Sequence, residues 1–142
     1  MTEKKTAKTA KSAQRKARNP FVGRWRIAWM EQWDQEFVDE EVEGFFEFEL
    51  NGCGSFQFGY VRGQIDYRHS TRDGNPCLEF SWDGNDEMDP AQGRGWAIAE
   101  GEQLSGVLCF HLGDESRFQA AKLPSPKASH RTRRRWTNLR SR

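Results

Sequence analysis

The chain has little that suits catalysis, covalent cross-linking or membrane insertion. Among its 142 residues it has three histidines and three cysteines. Cys53, Cys77 and Cys109 form no CxxC pair, which excludes the common zinc-ribbon and thioredoxin spacings. An odd number of cysteines without a secretory leader predicts free thiols in a reducing compartment, hence a cytoplasmic protein. No stretch approaches the roughly 20 apolar residues of a membrane span, so no membrane partner is expected. The Lys-, Ala- and Thr-rich start partly imitates an organellar transit peptide. It favours Lys over Arg, however, and lacks an apolar face. No nucleotide, metal or catalytic motif stands out, and no cofactor is expected.

Aromatic residues are nearly missing from the two ends. Seventeen of the eighteen Phe, Trp and Tyr residues lie between Phe21 and Phe118, and only Trp136 lies outside. Acidic residues divide the same way. Residues 1–19 carry a net +6, residues 122–142 carry +8, and residues 20–121 set seven arginines against twenty acids for −13. The overall +1 is therefore a cancellation between an acidic body and two basic arms. Arms of this composition cannot bury enough apolar surface to offset the entropy of ordering. The division predicts a disordered basic arm over 1–19, an acidic all-β domain over 20–121 and a disordered Arg-rich arm over 122–142.

What the middle block does contain is strand periodicity. Phe46, Phe48 and Leu50 alternate with Glu47 and Glu49. Leu78, Phe80 and Trp82 alternate with Glu79, Ser81 and Asp83, and Leu104, Gly106, Leu108 and Phe110 share a phase. Such alternation puts one face on a core and the other in water, as in antiparallel sheet. Turn signals separate the runs, among them Asn51-Gly52, Asp73-Gly74 and Gly113-Asp114. About seven antiparallel strands follow: 23–31, 37–50, 54–67, 77–83, 94–100, 103–111 and 115–121. Gly59 marks a phase break inside the third and predicts a bulge. In the first, Trp25, Ile27, Trp29, Glu31 and Trp33 would share one side. With almost no helix signal to cover a sheet face, the meander should close into a small barrel or flattened sandwich.

The run Gly23-Arg24-Trp25 entering the first strand resembles the start of calycins: the lipocalins, avidin-like and fatty-acid-binding barrels. That resemblance implies a barrel whose Trp25 packs at the base near a basic residue of the last strand, here Arg117 or Lys122. The runs Gly23–Arg26, Phe80–Pro90 and Gly93–Ala97 are also similar to those of small bacterial proteins of unknown function, which implies a bacterial source and no particular activity.

Several clusters are candidate sites. Asp83, Asp86 and Asp89 could offer oxygen ligands to Ca²⁺, although the EF-hand spacing is absent and a solvated acidic turn explains them as well. His111 and Asp114 could form an acid–base pair across a turn, without a nucleophile or oxyanion hole to complete it. Glu47 and Glu49 alternate with phenylalanines and read as wet-face residues rather than a glycosidase pair. Trp25, Trp82 and Trp96 could line a cavity for a small apolar ligand or simply fill the interior. Arg133, Arg134, Arg135 and Arg140 around Trp136 suit phosphate pairing and base stacking, or contact with an acidic protein surface.

The leading expectation is a non-enzymatic interaction module that recruits nucleic acid or an acidic protein through its basic arms. One alternative is calycin-like binding of a small ligand inside a barrel. The other is an enzyme of unknown reaction using the loops 69–75 and 83–94, with Arg94 or His69 in its cleft.

Overall fold

A computed structural model describes residues 19–124. These form eight antiparallel strands and one helical turn. The strands are β1 (Gly23–Met30), β2 (Phe45–Phe48), β3 (Cys53–Phe58), β4 (Val61–Arg72), β5 (Asn75–Asp86), β6 (Asp89–Glu100), β7 (Gln103–Phe110) and β8 (Glu115–Lys122). Each strand pairs with the next, and β8 pairs back with β1 to close the barrel. The all-β expectation holds, with eight strands where about seven were expected. Among the described residues no helix is long and apolar enough to cross a membrane.

The extra strand arises at Gly59. Rather than a bulge, Gly59 and Tyr60 are the two-residue turn of the β3–β4 hairpin, where Phe58 pairs with Val61. Gly59 has φ +59, the left-handed value that the first position of such a turn requires. A Cβ there would also lie 2.4 Å from the Phe37 ring. The anticipated strand 37–50 is reduced to Phe45–Phe48. Its first part becomes the helical turn α1 (Gln35–Val38), capped by Asp34, whose carboxylate accepts from the Phe37 N–H at 3.0 Å. Asp39 then accepts from the Gly44 N–H, the Arg26 guanidinium and the Gln35 amide, which fixes the connector to β1. The acidic run 39–43 thus serves a connector and not a strand.

Alternation places the core as expected for most of the chain. Phe46, Phe48, Phe56, Phe58, Phe80, Leu104, Leu108 and Phe118 all point inward and are buried. β1 departs from its expected phase. Its register against β8 shifts between Ile27 and Trp29, so Met30 takes the inward place and Trp29 is 40% exposed. Close packing is possible because glycines face the largest rings. A Cβ on Gly63 would strike Phe56 and Trp82, which meet edge-on at 5.0 Å between centroids. A Cβ on Gly93 would lie 1.8 Å from the Cys109 carbonyl and 2.8 Å from the Trp82 indole nitrogen. The bare α-carbon lets that N–H reach the Cys109 oxygen at 3.1 Å.

The meander gives the barrel two unlike ends. At the base lie the chain entry, the turns after β2, β4 and β6, and the end of β8. At the mouth lie the 31–44 connector and the turns after β3, β5 and β7.

Candidate functional site

The base is sealed. Residues 19–22 cross it, and the Phe21 ring is fully buried against Phe48. Trp25 is fully buried beneath it, and its indole N–H donates to the Phe21 carbonyl at 2.9 Å. The Lys122 ammonium lies 4.8 Å from the Trp25 ring and donates to the Val22 carbonyl at 2.9 Å. Lys122 is therefore the basic partner of Trp25, and it is the last residue of β8 rather than part of an arm. Arg117 instead pairs with Glu31 and lies over Trp29. A hollow of about 540 Å³ beside Lys122 abuts Pro124, so its walls are incomplete among the described residues.

The mouth is open. A cleft of about 650 Å³ lies between the β5–β6 hairpin, the β7–β8 turn and the connector. Trp33, Phe37, Val61 and Phe110 supply its apolar surface, and Asp83, Asp86, Asp89 and Asp114 its charge. Trp33 packs against Phe58 at 4.9 Å and Phe110 at 6.0 Å between centroids, so these half-buried rings continue the core upward. Among the described residues none of the four aspartates makes an ion pair or a side-chain hydrogen bond. The arginine–carboxylate pairs lie elsewhere: Arg24–Glu47, Arg26–Asp39, Arg26–Glu43, Arg62–Glu41 and Arg117–Glu31. Two exposed apolar side chains stand on the turns beside the cleft, Met88 and Leu112.

The cleft exists because β5 and β6 outrun β7. The β6–β7 ladder ends at Gly93 opposite Phe110. The His111 N–H still reaches the Gln92 carbonyl at 2.7 Å, but among the described residues Asp89, Pro90 and Ala91 have no ladder partner on that side. Pro90, two residues from Gln92, turns its backbone the same way. Its missing N–H costs no ladder bond, and it keeps this short edge from recruiting another strand.

The charge at this end reaches its neighbours. The Tyr60 phenol is held above its ordinary range, first by the Glu40 charge, then by burial and by Glu41, with Glu87 adding to it. Burial, followed by the Glu115 charge, raises the Cys109 thiol, which disfavours a thiolate nucleophile there.

No family model matches this chain, and no curated protein and no solved structure was found that resembles it.

The residues singled out in the sequence are distributed as follows. Trp25 and Trp82 are buried, but Trp96 lies on the outer wall beneath the Arg72 guanidinium at 3.9 Å. One step of strand phase separates it from the interior, where Ala97 sits instead. Trp25, Trp82 and the buried phenylalanines thus fill the barrel, and the 650 Å³ cleft lies above them. Asp83, Asp86 and Asp89 line the cleft, yet no metal-holding group of three His, Cys, Asp or Glu forms among the described residues. His111 and Asp114 also line it, without a hydrogen bond between their side chains. His69 is at the base, 3.5 Å from the Asn19 amide, and Arg94 pairs with Cys109 in the ladder below the cleft. Neither lines the 650 Å³ cleft. Arg133, Arg134, Arg135, Trp136 and Arg140 lie outside the described residues, as do 1–18. Sequence reasoning missed the combined site because Trp33, Phe37, Asp89 and Asp114 are far apart in the chain. The only signal was the unusual density of carboxylates over 83–89.

Proposed function

We propose that this barrel is a non-enzymatic binding module whose mouth takes an organic cation carried on an apolar or aromatic body. One observation carries the reading: four carboxylates without ionic partners among the described residues border a cleft floored by aromatic rings. Carboxylates attract a cation over roughly 8 Å at physiological salt, and aromatic faces attract it at contact. Met88 and Leu112 extend the apolar surface beyond the floor. The buried Trp25, Trp82 and phenylalanines disfavour a ligand held deep in the barrel, as fatty-acid-binding calycins would hold it.

Titration calorimetry of the full chain with benzyltrimethylammonium tests this. Binding should saturate, weaken with salt, and disappear in the Asp86→Asn/Asp89→Asn variant. Neutral benzyl alcohol should bind far more weakly. The same titration on a chain with Arg133, Arg134 and Arg135 changed to Gln removes competition from the chain's own cations. No saturable binding in either chain overturns the reading.

A second reading, recruitment of a polyanion by the arms, is favoured by one observation. The described chain begins and ends at the base, where Asn19 lies beside Tyr67 and Leu123 bonds to Arg24. Both arms therefore start from the end away from the acidic cleft, which reduces repulsion of a polyanion by the −13 body. Duplex or single-stranded nucleic acid should then bind with a steep salt dependence, and the triple Gln variant should lose most of that affinity.

A further inference from the structure

The cleft has a candidate occupant within the same chain. Eighteen residues follow Pro124, and they include the densest run of cations in the sequence, Arg133-Arg134-Arg135, followed at once by Trp136. That order, cations next to an indole, matches carboxylates next to a ring floor. The chain's own lengths allow the meeting. From Asp114 at the mouth, β8 and its two following residues take ten steps to Pro124 at the base. Ten further steps reach Arg134. At about 3.3 Å per extended residue each path covers at most about 33 Å, so a nearly extended chain that turns back at once after Pro124 brings Arg133–Arg135 close enough for their long side chains to reach the level of Asp114. Pro126 follows Pro124 closely and disfavours continuing β8 outward as a ladder strand.

We propose that residues 133–136 of this chain occupy the acidic cleft when no other cation does, with the arginines on Asp86, Asp89 and Asp114 and Trp136 against Trp33 and Phe110. This rests on reading the cleft as a cation site and assigns that site a built-in competitor. A tether of about ten residues has a relaxed span of about 17 Å, shorter than the path to the mouth, so the arm reaches the aspartates only when stretched and a better ligand displaces it readily. Displaced, the same arginines become available to another partner, so ligand at the mouth and availability of the arm are linked.

The test uses the full chain carrying 5-fluorotryptophan, with the Trp136 ¹⁹F line assigned by Trp136→Phe and compared with a peptide of residues 125–142. At low salt the line should be displaced from the peptide position, to the same extent at all protein concentrations. It should return to the peptide position in 1 M NaCl, in Asp86→Asn/Asp89→Asn, and on adding benzyltrimethylammonium. Changing Arg133, Arg134 and Arg135 to Gln should raise the affinity for that cation by about twofold. A displacement that grows with protein concentration overturns the proposal and assigns the occupant to a neighbouring copy. A line at the peptide position, with benzyltrimethylammonium bound equally by the parent and the triple variant, overturns it and leaves the cation site standing. A triple variant that binds no cation removes both.

Discussion

The two ends of the barrel use aromatic residues differently. At the base the rings are covered. Phe21 and Trp25 are fully buried, the indole N–H is satisfied, and the Lys122 ammonium over the Trp25 ring is bonded to backbone. At the mouth the rings of Trp33, Phe37 and Phe110 are only half covered, and the four aspartates around them make no ion pair among the described residues. A fold needs its interior sealed at one end to exclude water, and the sealed end gains stability from each covered ring. A half-covered ring beside an unpaired carboxylate contributes less to folding, which leaves the mouth available for recognition.

The largest effect that could break this comparison is at the base. Trp25→Ala should cost about 3–5 kcal/mol, the usual loss for a fully buried tryptophan, whereas Trp33→Ala should cost about 1 kcal/mol. Urea unfolding of the two variants checks it. Equal losses would mean that the mouth is as much a part of the core as the base. Next comes the wall between the ends. Gly93→Ala would push a Cβ into the Cys109 carbonyl and the Trp82 indole, and should cost about 2–3 kcal/mol. Its specific sign is faster hydrogen exchange at the Trp82 indole N–H. Smaller again, Lys122→Met should cost about 1 kcal/mol through the lost ring contact and the lost bond to Val22. Arg117→Met, which breaks an exposed pair with Glu31, should cost less than about 0.5 kcal/mol. A reversed order would identify the wrong cation as the seal.

How much of this was legible in the sequence differs between the two ends for a physical reason. The walls and base follow from period-two alternation and from short-range turn chemistry. Leu78, Phe80 and Trp82 face inward as their spacing requires. Asp73-Gly74 turns where its left-handed φ values, +52 and +81, are cheapest. The pairing of Trp25 with a basic residue of the last strand was expected from the calycin resemblance, and tertiary packing then selects Lys122 over Arg117. Alternation failed where one residue changes phase. The shift after Ile27 exposes Trp29, and Trp96 falls on the outer wall although the run around it is strand throughout. The mouth depends on what alternation does not encode: two strands longer than their neighbour, a connector held by Asp39, and four aspartates from three segments. The density of acids at 83–89 was visible. That these face Trp33 and Phe110 is a consequence of closure, which no local pattern carries.

The smallest expected effect is the most direct reading of charge at the mouth. Tyr60 follows Gly59 in the turn there, and its phenol is held above the ordinary value near 10, chiefly by Glu40. Ionising it would add a negative charge among negative charges. The sign follows: the folded state resists losing this proton more than the unfolded chain does. Tyr60 therefore leaves stability untouched below its unfolded value and lowers it as pH rises from there through the folded value. Glu40→Gln removes the largest cause and should move the Tyr60 titration downward, with Tyr60→Phe assigning the signal in an ultraviolet titration. A bound organic cation should move it in the same direction without any substitution, because positive charge nearby favours the phenolate. If Glu40→Gln leaves Tyr60 where it was, the carboxylates at this end are screened from one another. The contrast between the two ends would then lose its support at the connector, and the charge of the cleft aspartates, which do not act on Tyr60, would rest on the calorimetry with Asp86→Asn/Asp89→Asn.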